Sequence, residues 1–285
     1  MPRTFLLIWM LVMILISAEH ALADYSICGN KSTGFAGSQT EMKMNGTNSY
    51  IFLDDTLGSL NWTSNLSKEN YIGIWELQAG VSESLSAFAI NRSAPRLVDV
   101  WVAEIGIDTF YRVNLSGNVT MNVSYDALGI GNVGGMDTLD GETFYVAETT
   151  TDNIWIVENN FTRARLCGRG ADLGSGISEI TINGSGGKVN GFWVQEATSG
   201  NIMYLDSQCN VLKRHDYNYT QRKDLQLLAT YDNVTIGTYD QSDDVFRNFT
   251  DDSIPPSLVG VRVNDTRFIS GSTVNLSFDV NDNCH

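Results

Sequence analysis

An internal repeat of about 45 residues constrains the fold of this 285-residue chain more than any other feature. Residues 101–104, 145–148 and 193–196 share a four-residue pattern: an aromatic residue, then Val, then Ala or Gln, then Glu. They start 44 and 48 residues apart (101 to 145, then 145 to 193). A second apolar stretch follows each of them before a polar turn, at residues 110–115, 154–157 and 202–205. A period of this length indicates a supersecondary unit that is repeated and stacked.

The repeated unit consists of several short strands joined by Gly, Asn and Asp turns, with scarcely a helical period in the chain. Weaker copies flank the clear ones at residues 50–53 and 236–239, and residues 134–137 supply a further strand before the middle copy. A four-stranded unit cannot bury both faces alone, and stacking such units around a ring gives a β-propeller. We therefore predict an all-β propeller over residues 24–250, with about five four-stranded blades, or six if the degenerate ends hide another.

The repeat resembles those of NHL-type propellers and is similar to those of virginiamycin B lyase and gluconolactonase-like propellers. The resemblance rests on the aromatic-Val-Ala-Glu segment, the Ile-x-x-Leu/Val strand and the Gly or Asn turn, and it covers residues 95–215 well and 25–250 loosely. It implies a propeller, but the motif discriminates poorly among propeller families. For gluconolactonase-like proteins it implies a metal in the central channel, and for the lyases a histidine base beside a metal.

Three glutamates at the ends of the clear repeats, Glu104, Glu148 and Glu196, are the sharpest candidates for a site. Equivalent positions of a ring lie at equal radius, so the three carboxylates could converge on a divalent cation such as calcium. A duplicated structural residue would recur in the same way, because a carboxylate at a strand end often accepts backbone N–H groups of its own blade. We favour the structural interpretation and keep the calcium site as the alternative.

No catalytic residue is predicted from the sequence. His215 lies between Arg214 and Asp216 and is expected to be solvated, and His285 is the last residue. The Gly-rich stretches 131–135 and 184–187 lie between strands and lack the Lys of a phosphate-binding loop. An enzyme is therefore the less favoured class.

The N-terminal residues 1–23 read as a secretory signal peptide, with a basic start, an apolar run and a small-x-small cleavage site before Asp24. Its apolar core is shorter than the roughly 20 residues that a membrane span needs, and no second apolar run of spanning length follows. The net charge of -15 argues against nucleic acid and anionic lipid as partners. We expect a secreted or extracellular cell-surface protein without a membrane span in this segment.

N-glycosylation sequons are far more frequent than the roughly four that chance would give. They begin at Asn30, Asn45, Asn61, Asn65, Asn91, Asn114, Asn118, Asn122, Asn160, Asn183, Asn218, Asn233, Asn248, Asn264 and Asn275. In residues 118–125, Asn and hydroxyl residues alternate with Val, Met and Tyr, which predicts a strand with one wet face that carries Asn118 and Asn122. An excess of this size behind a signal peptide predicts a glycoprotein.

Four cysteines, Cys28, Cys167, Cys209 and Cys284, can form up to two disulfides in an oxidising compartment, with three possible connectivities. None lies in a Cys-x-x-Cys pair, and no histidine stands at ligand spacing, so a zinc site is not expected.

The C-terminal residues change character after a Pro-containing linker at 251–257. Residues 258–263 and 273–280 read as two strands, and residues 258–285 resemble the start of an immunoglobulin-like module of archaeal and bacterial surface proteins. Such a module needs about seven strands. We expect the chain to be a piece of a longer surface protein; alternatively, the tail strands complete a sheet on a neighbouring subunit and build a filament.

The favoured function is therefore a recognition or structural module of the cell envelope that binds a protein or glycan ligand at a propeller rim. The alternatives are a secreted metal-dependent lyase or lactonase and the filament subunit. Acidity, sequons and immunoglobulin-like spacers together are typical of an archaeal envelope protein.

Overall fold

The computed structural model describes residues 25–32, 39–44, 49–54, 59–64, 71–76, 84–92, 99–158, 160–173, 176–185, 187–196, 201–215, 225–230, 235–240, 245–251, 257–263 and 276–281. The chain divides into two compact units, residues 29–249 and residues 1–28 together with 250–285. The predicted signal peptide and most of the predicted linker lie outside the described residues, so the predicted domain boundaries stay predictions.

Five four-stranded sheets are formed by the described residues. The first strand among the described residues is β1 (Tyr25–Ser32). Sheet 1 contains β2 (Gln39–Met44), β3 (Ser49–Asp54), β4 (Ser59–Ser64) and β5 (Tyr71–Glu76). Sheet 2 contains β6 (Leu85–Ile90), β7 (Asp99–Glu104), β8 (Thr109–Asn114) and β9 (Val119–Ser124). Sheet 3 contains β10 (Val133–Thr138), β11 (Phe144–Glu148), β12 (Asn153–Glu158) and β13 (Arg163–Gly168).

Sheet 4 contains β14 (Ile177–Ser185), β15 (Lys188–Glu196), β16 (Ile202–Asp206) and β17 (Val211–His215). Sheet 5 contains β18 (Leu225–Thr230), β19 (Thr235–Asp240) and β20 (Val245–Asp251), and its strand order is β1-β20-β19-β18. In sheets 1 to 4 each strand pairs antiparallel with the next one along the chain. Helix is nearly absent from the described residues, which contain a 3-10 turn (Asp126–Leu128) and the single-turn α1 (Gly170–Leu173).

One irregularity recurs in all five sheets and confirms the repeat. In each sheet, one residue near the start of the first strand bulges out of the pairing with the second strand. This unpaired residue is the second of its strand: Thr40, Ser86, Gly134, Ser178 or Gln226. The residue just before this unpaired residue faces an acid at the end of the second strand, which is Asp54, Glu104, Glu148, Glu196 or Asp240. The sheets therefore match residue by residue, and the copies at 50–53 and 236–239 that aligned weakly in sequence are true second strands.

The first strands contact one another in a closed cycle. β2 contacts β6, β6 contacts β10, β10 contacts β14, β14 contacts β18, and β18 contacts β2 again. Four-stranded antiparallel sheets stacked radially with their first strands innermost form a β-propeller. The all-β propeller predicted from the repeat is confirmed at this level.

Hydrophobic layers fill the space between neighbouring sheets. One layer joins Phe110 of sheet 2 to Met136 and Phe144 of sheet 3, and the rings of Phe110 and Phe144 both contact Phe161. Other layers join sheets 1 and 2 and sheets 3 and 4. Apolar burial contributes about 25 cal/mol per Å2, so these layers supply the main attraction between sheets.

Two turns between second and third strands place an aspartate in the left-handed region, Asp108 at φ 54° and Asp152 at φ 57°. Aspartate tolerates this region because its short polar side chain bonds locally. The Asp152 carboxylate accepts the N–H groups of Gly176 and Ile177 at 2.7 and 2.9 Å, so the turn of sheet 3 holds the start of sheet 4.

A disulfide links sheets 3 and 4. Cys167 of β13 bonds Cys209, which precedes β17, with a Cα–Cα distance of 5.7 Å and a separation of 42 residues along the chain. A loop of this size implies a stabilisation of about 4 kcal/mol in the chain-entropy account. One of the predicted disulfides is thereby confirmed. The side chain of Cys28 and the whole of Cys284 lie outside what the structure describes.

The second unit contains a two-stranded antiparallel sheet of β21 (Ser257–Val263) and β22 (Leu276–Asn281). The two strands predicted at 258–263 and 273–280 are therefore present, the second one starting three residues later. Their assignment to an immunoglobulin-like module stays a prediction. Among the described residues, no helix has the length and apolar character to span a membrane.

Candidate functional site

Charged side chains on the first strands form a buried cluster around the cycle's centre. Glu41 and Lys43 come from β2, Asp137 from β10 and Glu179 from β14, and Arg92 follows β6. The four residues on the strands are at most 1% exposed. We call these five residues the axial cluster. Burial of so many charges is costly unless they are paired and hydrogen-bonded, so their partners decide what the cluster does.

Glu41 joins three sheets through one carboxylate. Its Oε1 accepts the Lys43 Nζ at 2.7 Å and the backbone N–H of Met136 at 3.1 Å. Its Oε2 accepts the backbone N–H of Phe88. A side chain of sheet 1 thus holds backbone groups of sheets 2 and 3.

Lys43 extends the same connection to sheet 4. Its Nζ donates to the carbonyl oxygen of Ile180 at 3.2 Å and lies 5.9 Å from the centre of the Phe88 ring. Because Glu41 and Lys43 are two residues apart in one strand, they share a face and form an intrastrand ion pair.

Asp137 and Arg92 form the second half of the cluster. The Asp137 Oδ2 accepts the Arg92 guanidinium at 2.8 Å, the Ile182 N–H at 2.7 Å and the Thr181 hydroxyl at 3.2 Å. Arg92 also donates to the Ile182 carbonyl at 2.9 Å. This pair ties sheets 2 and 3 to the first strand of sheet 4.

The close approach of β10 to β14 requires glycine at Gly135. A Cβ there would lie 2.8 Å from both the Glu179 Cα and the Ile180 nitrogen, closer than real contacts allow. Since this glycine lies two residues before Asp137, the short inter-sheet distance and the Asp137 hydrogen bonds belong to the same contact.

The electrostatics of the cluster favour a proton on Glu41. Burial is the largest effect and raises the Glu41 pKa to about 7, against the opposing influence of Lys43 and the two N–H donors. Burial opposes the charge on Lys43, but the neighbouring carboxylates of Glu41, Asp137 and Glu179 outweigh it and raise the Lys43 pKa. With every group ionised the axial cluster holds three negative charges and two positive ones, so one proton balances it.

The three glutamates predicted as a site are each bonded within their own sheet. Glu148 accepts the Trp155 indole N–H at 2.6 Å and the Gly131 N–H at 3.1 Å. Glu196 accepts the Arg214 guanidinium at 2.9 Å and the Asn201 amide at 3.2 Å. Glu104 bonds the Tyr111 hydroxyl. The Tyr111 pKa is raised mainly by burial, and then by the charge and the hydrogen bond of Glu104.

Within the described segments, no group of three or more His, Cys, Asp or Glu side chains has the geometry to hold a metal ion. The structure places Glu104, Glu148 and Glu196 at equivalent positions but does not bring them together as one ligand set. The calcium site stays a prediction without a ligand cluster in the described residues. His215 ends β17, and neither its side chain nor His285 is described.

The predicted sequons differ in accessibility. Asn118, Asn122 and Asn160 are exposed, and Asn91 and Asn114 are half-buried. Asn183 is only 5% exposed, and its amide donates to the Tyr204 hydroxyl at 3.3 Å, which is unfavourable for a glycan. The side chains of Asn30, Asn61 and Asn248 are not described, and the remaining sequons lie outside the described residues: Asn45, Asn65, Asn218, Asn233, Asn264 and Asn275.

The wet face predicted for residues 118–125 is confirmed. In β9, Thr120, Asn122 and Ser124 are exposed, whereas Val119, Met121 and Val123 are half-buried against the hydrophobic layers. Occupancy of these sequons by glycans stays a prediction.

Sequence reasoning missed the axial cluster. Its signal was present as Glu-Met-Lys at residues 41–43, where two opposite charges two residues apart lie on one face of a strand. The repeat drew attention to residues that are present in each clear copy, whereas Glu41 has a glutamate counterpart only in sheet 4, at Glu179.

Comparison with known proteins supports the fold and no more. No protein-family model and no curated protein matches the chain. A solved nidogen/laminin complex matches with a TM-score of 0.51 and 12% identity, covering 72% of this chain and 73% of that one. Hydrazine synthase of Kuenenia stuttgartiensis matches with a TM-score of 0.46 and 14% identity, covering 75% of this chain and 59% of that one. Virginiamycin B lyase of Staphylococcus aureus matches with a TM-score of 0.46 and 13% identity, covering 74% and 65%.

β-Propeller domains are among the further matches. The chain spans less than two thirds of the hydrazine synthase and lyase chains, and identities this low carry no functional argument. The sheet geometry assigns the chain to the class of β-propeller proteins.

Proposed function

We propose that this protein is an exported, N-glycosylated β-propeller that acts as a recognition or structural module of the cell surface. The signal-like residues 1–23, the excess of sequons and the disulfide between Cys167 and Cys209 support export to an oxidising compartment. A protein or glycan ligand would bind at a rim of the propeller.

The observation that carries the non-catalytic part of the proposal is the bonding of the axial cluster. Glu41, Lys43, Asp137 and Arg92 bond to one another or to backbone groups of neighbouring sheets. These charged groups are already used to hold first strands together. The lyase or lactonase and the filament alternatives gain no specific support from the described residues.

The finer architecture belongs to the same proposal. Five blades would account for the five sheets in the described residues and for the closed cycle of their first strands. The repeats would be NHL-like, and the sheet of β21 and β22 would begin an immunoglobulin-like module of a longer surface protein.

The test is expression of the full chain in a host that N-glycosylates secreted proteins. We expect the protein in the medium, with Asp24 at its N-terminus and an intact mass that falls after enzymatic removal of N-glycans. A matched chain lacking residues 1–23 should stay inside the cell and carry no glycan. Retention of the full chain inside the cell, or a secreted product with the mass of the bare polypeptide, would contradict the proposal.

A further inference from the structure

Among the described residues, the fourth strands of sheets 2, 3 and 4 pair with one neighbouring strand each, so each ends its sheet in an open edge, which in β9 runs over residues 120–124. These strands are β9, β13 and β17. An open edge presents unpaired backbone N–H and C=O groups and is a template for pairing with another chain, which proteins prevent with charges, bulges or a cover. All three strands contain a bulge in their pairing with the third strand, so bulges do not distinguish them.

Charge does distinguish them. β13 exposes Arg163 and Arg165, and β17 exposes Arg214 beside the half-buried Lys213. A second copy pairing with either strand would bring cationic side chains close together, although Arg165 and Arg214 each already bind a carboxylate, that of Glu158 and that of Glu196. β9 has the sequence Val-Thr-Met-Asn-Val-Ser and carries no charged residue.

β9 is also chemically suited to strand addition by a second copy of this chain. Beyond its bulge, residues 121–124 pair regularly with β8, so the strand presents a regular edge. Its exposed side chains, Thr120, Asn122 and Ser124, are compatible with the same residues of another copy lying opposite. The net charge of -15 repels a second copy, but physiological salt screens this repulsion beyond a Debye length of about 8 Å, and β9 itself adds no charge to it.

β9 carries a sequon where its two counterparts carry charges. Asn122 lies within the strand and Asn118 directly before it, and both are exposed. No sequon starts within β13 or β17. We propose that N-glycans at Asn118 and Asn122 cover the open edge of β9 and prevent a second copy of this chain from pairing with it. This role rests on the proposed glycosylation and assigns a function to the glycans at Asn118 and Asn122.

The test compares two variants that lack both glycans and differ only at Ser124. N118Q/S124A removes both sequons and leaves the edge uncharged, whereas N118Q/S124K removes both sequons and adds a lysine to the exposed face. Secreted proteins are compared by light scattering after size exclusion in physiological salt, with glycopeptide mass spectrometry of the wild type. We expect a monomeric wild type, a dimer or larger species for N118Q/S124A, and a monomer for N118Q/S124K.

T162A is the control for glycan loss elsewhere, since it removes the exposed sequon at Asn160 and should leave a monomer. If Asn118 and Asn122 carry glycans but N118Q/S124A stays monomeric, the shielding role is wrong and the glycoprotein proposal stands. If N118Q/S124K associates as strongly as N118Q/S124A, pairing through β9 is also excluded. Absence of glycans from both asparagines in the secreted protein overturns the inference at its premise.

Discussion

Two sets of buried carboxylates in the propeller behave in opposite ways. Glu104, Glu148 and Glu196 occupy one position of successive sheets, and each bonds inside its own sheet. Glu41 and Asp137 occupy positions that are not filled by one residue type in every sheet, and both bond across sheets. Within these two sets, the carboxylates that recur in successive sheets bond locally, and the carboxylates that do not recur in every sheet join neighbouring sheets.

Coulomb repulsion explains why a carboxylate cannot stand at the Glu41 position of every sheet. Five equivalent carboxylates around one axis would repel one another strongly in a medium of low dielectric constant. The position of Glu41 is accordingly filled in the other sheets by Ala87, Gly135, Glu179 and Leu227, and that of Lys43 by Ala89, Asp137, Thr181 and Ala229. At the strand ends, Glu104, Glu148 and Glu196 bond to local partners, so a glutamate is tolerated at this position of sheets 2, 3 and 4.

The largest effect should follow from removing the cation of the Glu41–Lys43 ion pair. Lys43→Met leaves the Glu41 carboxylate buried without its cation, and we expect a loss of about 3–5 kcal/mol in the free energy of unfolding at pH 8. Urea denaturation measures it. The double variant E41Q/K43M should lose less, because it removes both charges of the Glu41–Lys43 pair.

Lys188 provides the matched control, since it is exposed on β15. K188M should change the free energy of unfolding by no more than about 0.5 kcal/mol. Two results would show that the Glu41–Lys43 pair does not hold the sheets together. One is a K43M variant as stable as K188M, and the other is a K43M variant that loses no more stability than E41Q/K43M.

The second effect is the pH dependence contributed by Glu41. Its pKa is raised from 4.5 to about 7 in the folded state, so between these values the folded chain holds more protons than the unfolded chain. Stability from this group is therefore present below about pH 4.5 and is lost as the pH rises to about 7, by on the order of 2–3 kcal/mol. The difference in unfolding free energy between wild type and E41Q should fall over this range.

E142Q serves as the reference for this experiment, because Glu142 is exposed and its substitution removes one carboxylate outside the axial cluster. A difference between wild type and E41Q that rises with pH would mean that Lys43 and the N–H donors outweigh burial and hold the Glu41 pKa below its usual value.

The sequence predicts the blade well because each blade is a local solution repeated along the chain. The aromatic-Val-Ala-Glu segments form the ends of β7, β11 and β15, which finish at the predicted glutamates and begin one to five residues before the segments, and the alternation in β9 gave its wet face. The disulfide between Cys167 and Cys209 could be foreseen only as one of several pairings, since its partners come from neighbouring sheets.

The axial cluster could not be predicted from the repeat for the same physical reason. The contacts of Glu41 with Phe88 and Met136 span 47 and 95 residues, and the contact of Lys43 with Ile180 spans 137. Such contacts depend on how the ring closes, and a periodic pattern contains no information on it. Glu-Met-Lys in a first strand was the local signal, and it is meaningful only once the strand is known to be innermost.

The smallest effect should follow from a recurring glutamate, and it also tests the calcium alternative. Glu148→Gln replaces one acceptor oxygen by an amide beside the Trp155 and Gly131 donors, and we expect a loss of about 1–2 kcal/mol in the free energy of unfolding, against no more than about 0.5 kcal/mol for E142Q.

For a structural glutamate, calcium should leave this difference between wild type and E148Q unchanged. If Glu148 were a calcium ligand, calcium at about 100 times its Kd would stabilise the wild type by about 2.7 kcal/mol and E148Q by much less. Thermal melts of both proteins with calcium and with a chelator decide between the two, and a calcium shift confined to the wild type would show that a recurring glutamate binds metal as well as stabilising its blade.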